Sequence, residues 1–201
     1  MKHLRTVDDV MTRTAICVDH DTAFKDIVET MRKGNVSALP VRTGDGRVAG
    51  VVSEADLLLG GRGTGPDRAT TAEQLMTRPA VTVTKDAGIP VAARLMARGH
   101  LKRLPVVDGD GRLIGVVSRG DLLKVYLRPD ADIAAEIREL ITRQLVPRGS
   151  AVIHVHVAAG VAHLYGSLPD PALADVVVRA ARTVPGVVDV EADLAAPAPA
   201  V

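Results

Sequence analysis

Apolar and polar positions along this chain follow two periods, and the period switches at short intervals. Across residues 21–35, DTAFKDIVETMRKGN sets Ala23, Ile27, Val28 and Met31 at the spacing of one helix face, and Gly34 stands where that helix would end. SALPV and GRVAGVVS follow as short apolar runs separated by the turn-forming TGDGR, which predicts a hairpin. EADLLL then starts a second helix, with Ser53 suited to cap it. Ahead of the first helix, VMTRTAICV reads as a lead-in that runs into a strand. The predicted order is β-α-β-β-α.

The same order is written again 65 positions later. GVVSEADLL at 50–58 returns as GVVSRGDLL at 115–123, and the offset holds without a gap from residue 11 to 58. Met11 matches Met76, Met31 matches Met96, Leu39-Pro40 matches Leu104-Pro105, and Asp56 matches Asp121. LMTRPAVTV repeats the lead-in, KRLPVVD, DGDGR and GRLIGVVS repeat the hairpin, and RGDLLKVYL with Ser118 repeats the capped helix. Two copies of one supersecondary unit account for this register. The glycine-rich GGRGTGPDRAT at 60–70 reads as a linker, and a second break falls at Arg128-Pro129-Asp130.

Beyond that break the pattern changes. DIAAEIRELITRQL is an amphipathic helix, VIHVHV and VAHLYG alternate as paired strands, PALADVVVRAARTV is a second helix and VVDVEADL a last strand. The expected fold class is α+β throughout: two β-α-β-β-α units forming a pseudo-two-fold module, and a small α-β-β-α-β domain. The boundaries expected are 1–62, a linker at 63–70, 71–127, 130–195, and a disordered tail at 196–201.

Composition narrows the function classes. Of 201 residues, 47% are hydrophobic but only 1% aromatic, so the core is built from Val, Ala, Leu and Ile, and stacking platforms for single-stranded nucleic acid are lacking. The net charge of +1 divides into +4 over residues 1–127 and −3 over 128–201, and neither part has the basic excess of a nucleic-acid binder. The single cysteine, Cys17, excludes an internal disulfide framework and a cysteine-based zinc site. No apolar stretch has the length of a membrane span and the N-terminus does not read as a signal peptide, so a soluble, cytoplasmic protein is expected. No Walker motif, metal-ligand spacing or nucleophile triad is present, which points away from an enzyme.

The LPV segment, the DGDGR hairpin and the G-x-x-S-x-x-D turn, in register and twice over, resemble the CBS domain. The pair resembles a tandem CBS (Bateman) module covering residues 1–127. The resemblance implies a regulatory ligand of the adenine-nucleotide class, held by an aspartate that takes the ribose. Here those residues are Asp56 and Asp121, with Ser53 and Ser118 beside them. The chemistry is sound, since a fixed carboxylate accepts both ribose hydroxyls and a helix start attracts phosphate. The same Ser and Asp would also make an ordinary helix cap.

The family's adenine slot is lined by the start of the first strand, here Thr14-Ala15-Ile16 and Pro79-Ala80-Val81, and by the segment before the proline, here Val36-Ser37-Ala38 and Leu101-Lys102-Arg103. VSALPV is similar to a repeat of the regulatory gamma subunit of AMP-activated protein kinase, and HLKRLPVVD to the basic form of the segment, whose side chains reach phosphates. Lys102 and Arg103 are therefore expected to serve the phosphates of a nucleotide seated in the first repeat, the alternative being that both are solvated surface residues. AMP, ADP, ATP and S-adenosylmethionine all remain candidates, with or without Mg²⁺. A homodimer through the CBS pair is the expected assembly.

Residues 131–195 resemble a BON domain through VIHVHVAAGVAHLYGSL and VPGVVDVEADL with Gly160, Gly166 and Gly186. The resemblance implies phospholipid or envelope-linked partners. The acidic charge of the segment opposes an anionic membrane, so a protein partner of unknown identity is the expectation and membrane lipid the alternative. Strand alternation sets Ile153, Val155 and Val157 against the helices and His154 and His156 on the other face, opposite Tyr165 and His163. That face reads as a half-exposed polar or dimerisation surface, with a metal or pH-sensitive contact at His154, His156 and His163 as the alternative.

Overall fold

Each repeat folds around its own hairpin, and the two are tied by bridges between each lead-in and the other repeat's third strand, with residues of the second repeat buried in the core of the first. In this computed structural model the described residues are 5–60, 70–145, 152–168, 170 and 172–195. Apart from Gly60 and Thr70, the expected linker at 60–70 lies outside them, as does the tail at 196–201. The chain divides into two compact units, Arg5–Leu122 and the residues from Leu123 onward.

In the first repeat, α1 (Val7–Val10) precedes β1 (Val18–Asp19), α2 (Phe24–Gly34), β2 (Ala38–Arg42), β3 (Val48–Ser53) and α3 (Glu54–Gly60). The second repeat follows with α4 (Ala72–Leu75), β4 (Val83–Thr84), α5 (Ile89–Arg98), β5 (Arg103–Val107), β6 (Leu113–Ser118) and α6 (Arg119–Leu123). In each, the first strand pairs parallel with the second and the second antiparallel with the third. The hairpins turn through Gly46 and Gly111, both at positive φ.

Each lead-in is followed by a strand, as expected, but that strand spans only two residues, and a four-residue helix lies ahead of the lead-in, sharing with it only Val10 or Leu75. Gly34 is the last helical residue rather than the stop. Asn35 takes the left-handed conformation at φ 49°, a role its short polar side chain tolerates, and His100 does so in the second repeat at φ 51°.

The displaced lead-ins explain the pairing of the repeats. Thr12 bridges Val116 of β6, and Thr77 bridges Val51 of β3; shifting both partners by one repeat length converts one bridge into the other. The same exchange relates Thr6–Gly88 to Ala23–Thr71, and the Val7 N–H donating to Ala87 O to the Ala72 N–H donating to Thr22 O. Ala72 and Leu75 of the second repeat are buried in the first repeat's core with Val18, Ile27, Met31, Leu39, Val41, Val52 and Leu57. This reciprocity is the pseudo-two-fold symmetry of the module.

From Leu123 onward, a 3₁₀ turn (Lys124–Leu127) leads into α7 (Asp130–Leu140), which passes into a π-helical turn (Ile141–Leu145). Strands β7 (Val152–Ala158) and β8 (Val161–Ser167) form a hairpin, and β9 (Asp189–Ala195) returns parallel to β8 after α8 (Leu173–Arg182). Helices and sheet enclose Ile133, Ile137, Val155, Val157, Ala162, Leu164, Val177, Ala181 and Val190. The β7–β8 turn has Ala159 and Gly160 at φ 50° and 78°, and Asp130 at the head of α7 accepts both of their N–H groups, at 2.8 and 3.0 Å. Arg128 and Glu136 form a buried ion pair at 2.8 Å, each side chain 6% exposed, and Arg128 also donates to Pro185 O.

Two consequences are measurable. A Cβ added at Gly115 would lie 2.8 Å from Thr12 O, where the lead-in crosses β6, and one at Gly50 would lie 2.8 Å from Thr77 O. Gly115→Ala is expected to cost about 1–3 kcal/mol in urea unfolding, as overpacking does. Glu136→Ala, which strands a buried guanidinium, is expected to cost about 3–5 kcal/mol in the same measurement.

Candidate functional site

The G-x-x-S-x-x-D turns close in the same way in both repeats. The Ser53 N–H and hydroxyl donate to Asp56 Oδ2 at 2.8 and 2.6 Å, and the Asp56 N–H returns a bond to Ser53 Oγ at 3.4 Å. Ser118 and Asp121 repeat this at 2.9, 2.6 and 3.2 Å. The cap is thus real, and it occupies one carboxylate oxygen. The other oxygen of Asp56, Oδ1, meets the Thr77 hydroxyl at a long 3.5 Å.

Asp56 opens onto a cavity of about 430 Å³ built from both repeats. Ser37, Ala38, Val51, Ser53, Glu54, Ala55 and Asp56 line it from the first repeat, and Thr77, Pro79, Ala80, Val81, His100, Leu101, Lys102, Arg103 and Pro105 from the second. The reason is the crossing described above: Thr77 is hydrogen-bonded to Val51 in both directions, at 2.9 and 3.1 Å, which carries Pro79-Ala80-Val81 to the turn of Asp56. Each slot therefore joins one repeat's aspartate to the other repeat's lead-in.

Of the sequence-predicted residues, Ser37, Ala38, Ser53, Asp56, Ala80, Leu101, Lys102 and Arg103 come together in this cavity. Val36 does not; it packs against the first repeat's core, because it follows the left-handed Asn35 and turns inward. Thr14, Ala15, Ser118 and Asp121 are also outside its lining, being the repeat mates of Pro79, Ala80, Ser53 and Asp56. Thr77 and His100 were not singled out from the sequence. The signal for Thr77 was the doubled MTR of the lead-ins, whose swapped docking is not readable from one repeat alone.

The cavity's electrostatics are mixed in a useful way. Val51, Ala55, Pro79, Ala80, Val81, Leu101 and Pro105 give an apolar wall, Asp56 and Glu54 are acidic, and Lys102 and Arg103 are basic. Arg103 reaches across the repeats, its Nη2 donating to Ser37 Oγ at 3.2 Å. Its Nε is buried and makes no hydrogen bond. A buried guanidinium N–H without an acceptor is costly, and reorientation of the side chain towards an anion in the cavity would relieve it.

On the C-terminal sheet, register pairs His154 with Tyr165 and His156 with His163, as alternation predicts. The three histidines do not converge on one point. His154 instead stacks on Tyr165 at 5.0 Å between centroids, and among the described residues no group of three His, Cys, Asp or Glu side chains is arranged to hold a metal ion. Among those residues, too, no helix is long and apolar enough to cross a membrane.

Comparison with known proteins agrees with this architecture. The CBS domain family matches residues 7–60 and 72–128, and the BON domain family matches 129–197. The crystal structure of CBSX2 in complex with AMP, a protein of Arabidopsis thaliana, is similar at 32% identity and a TM-score of 0.55, covering 61% of this chain and 96% of that one. The cytosolic domain of the Mg²⁺ channel MgtE in complex with ATP is similar at 28% identity and a TM-score of 0.52, covering 60% of this chain and 48% of that one. The CBS domain-containing protein YhcV of Bacillus subtilis is 29% identical over 119 residues, 59% of this chain and 84% of its own length. This chain belongs to the CBS-domain family, as two CBS domains followed by a BON domain.

Proposed function

We propose that the chain is a non-enzymatic regulator that binds an adenine nucleotide in the slot between Asp56 and the second repeat's lead-in. The observation that carries this is Arg103: its Nε is buried without an acceptor beside a cavity that also presents Asp56. An apolar wall for a base, a carboxylate oxygen for ribose hydroxyls and a guanidinium for phosphate form the donor and acceptor set of a nucleotide. The AMP and ATP in the similar CBS structures support that class of ligand. Repeat 1 carries Ser37 and Ala38 where repeat 2 carries Lys102 and Arg103, so the phosphate-binding charge comes from one side only.

In this reading Asp56 Oδ1 takes the ribose, Thr77 stands beside it, and Lys102 and Arg103 hold phosphate. S-adenosylmethionine offers Arg103 one carboxylate accompanied by an ammonium and a sulfonium, whereas a phosphate offers it a net anion, so AMP, ADP or ATP is favoured. The CBS pair forms a homodimer, and Leu58 and Leu59 of α3, 69% and 71% exposed, supply apolar surface for it. The BON domain relays or anchors through a protein partner. A second reading, a ligand-free dimerisation module, draws on the closed Ser–Asp caps, which need no ligand.

Titration calorimetry of AMP, ATP and S-adenosylmethionine into wild type, Asp56→Ala, Asp121→Ala and Arg103→Ala decides between the two. Each aspartate variant loses the same cap, so both are expected to lose about 0.5–2 kcal/mol of stability. Only Asp56→Ala should also lose nucleotide binding. Arg103→Ala should weaken AMP and ATP at least tenfold. Silence from all three ligands would leave the dimerisation module as the function.

A further inference from the structure

Away from the nucleotide cavity, one row of side chains on the C-terminal sheet has the parts of a small metal centre. Register sets His156 of β7 directly across from His163 of β8, and His163 beside Glu191 of β9. The two imidazoles face each other with centroids 6.1 Å apart and planes 27° from parallel. Both are on the face opposite the helices: the flanking Val155, Val157, Ala162 and Leu164 are buried, whereas His156 is exposed and His163 half-buried. Two cross-strand neighbours on an open face can therefore reach one incoming ion together.

Glu191 gives the row its chemical direction. Its Oε2 lies 3.0 Å from His163 Nδ1. A carboxylate there keeps a proton on Nδ1, so in the neutral ring Nε2 carries the lone pair and is the ligating nitrogen. A carboxylate behind a ligating imidazole is the usual outer support of a histidine–metal bond. The surrounding charge points the same way. Strands β7, β8 and β9 contain no Lys or Arg, and Asp189, Glu191 and Asp193 alternate along β9 on this face, with Asp189 paired to Arg182 at 3.5 Å. A cation is attracted here.

We propose that His156 and His163 bind one divalent transition-metal ion of the zinc class, with Glu191 as the positioning residue for His163. Imidazole nitrogens suit such ions at about 2.0–2.1 Å, a distance that modest rotation of the two rings brings within reach. The chain supplies two nitrogens, and water completes the coordination, in keeping with the absence of a three-ligand group among the described residues. His154, stacked on Tyr165, stands outside the pair. The site is independent of the nucleotide reading.

Zn²⁺ titrated calorimetrically into the full chain tests it. One ion per chain is expected, with binding weakened at least tenfold in His156→Gln and in His163→Gln. Glu191→Gln should weaken it roughly tenfold, as loss of an outer-shell partner does, and His154→Gln should leave it unchanged. Circular dichroism of each variant should match wild type, since all four side chains are at the surface of the sheet. Absence of Zn²⁺ binding in wild type, or wild-type affinity in the doubly substituted His156→Gln/His163→Gln chain, would overturn the proposal. A loss in His154→Gln as large as that in His163→Gln would overturn the assignment of the pair.

Discussion

The exchange of lead-in segments is the constraint on which the N-terminal unit depends. Thr12 bridges β6 and Thr77 bridges β3, and Ala72 and Leu75 of the second repeat's short helix are buried in the first repeat's core. The approach is close enough that Gly50 and Gly115 have no room for a side chain at the crossing. A repeat folded alone would leave the outer edge of its third strand and an apolar hole in its core open to water. Symmetry here is a condition of burial rather than a by-product of duplication.

The cavity inherits its composition from that exchange. One repeat provides a carboxylate already ordered by a serine turn, and the other delivers the wall that faces it. Because Asp56 Oδ2 is committed to the turn, its orientation is fixed before any ligand arrives, and only Oδ1 is left for recognition. Preorganisation of this kind lowers the ordering cost of binding. Arg103 is less settled, with one nitrogen on Ser37 and another without an acceptor.

How much of this was legible in the sequence depended on whether the information was local. Hairpin turns, strand alternation and the Ser–Asp caps are set by residues within a few positions of one another, and the 65-residue offset made each legible twice. The cross-strand pairs His154–Tyr165 and His156–His163 also followed from alternation and one tight turn. What was not legible came from contacts between distant segments. Val36 reads as a slot residue by its neighbours, yet a left-handed Asn35 turns it toward the core. Thr77 belongs by sequence to the second repeat and by geometry to the first repeat's aspartate.

The hydrogen bond from Arg103 to Ser37 makes the two copies one electrostatic unit at this seam. Positions 37, 38, 102 and 103 all border one cavity, so a substitution in either copy alters a surface that both share. A second pair of cations at 37 and 38 would face Lys102 and Arg103 across the same cavity and repel them. The small neutral side chains of Ser37 and Ala38 leave one copy to supply the charge and the other to supply the room for it.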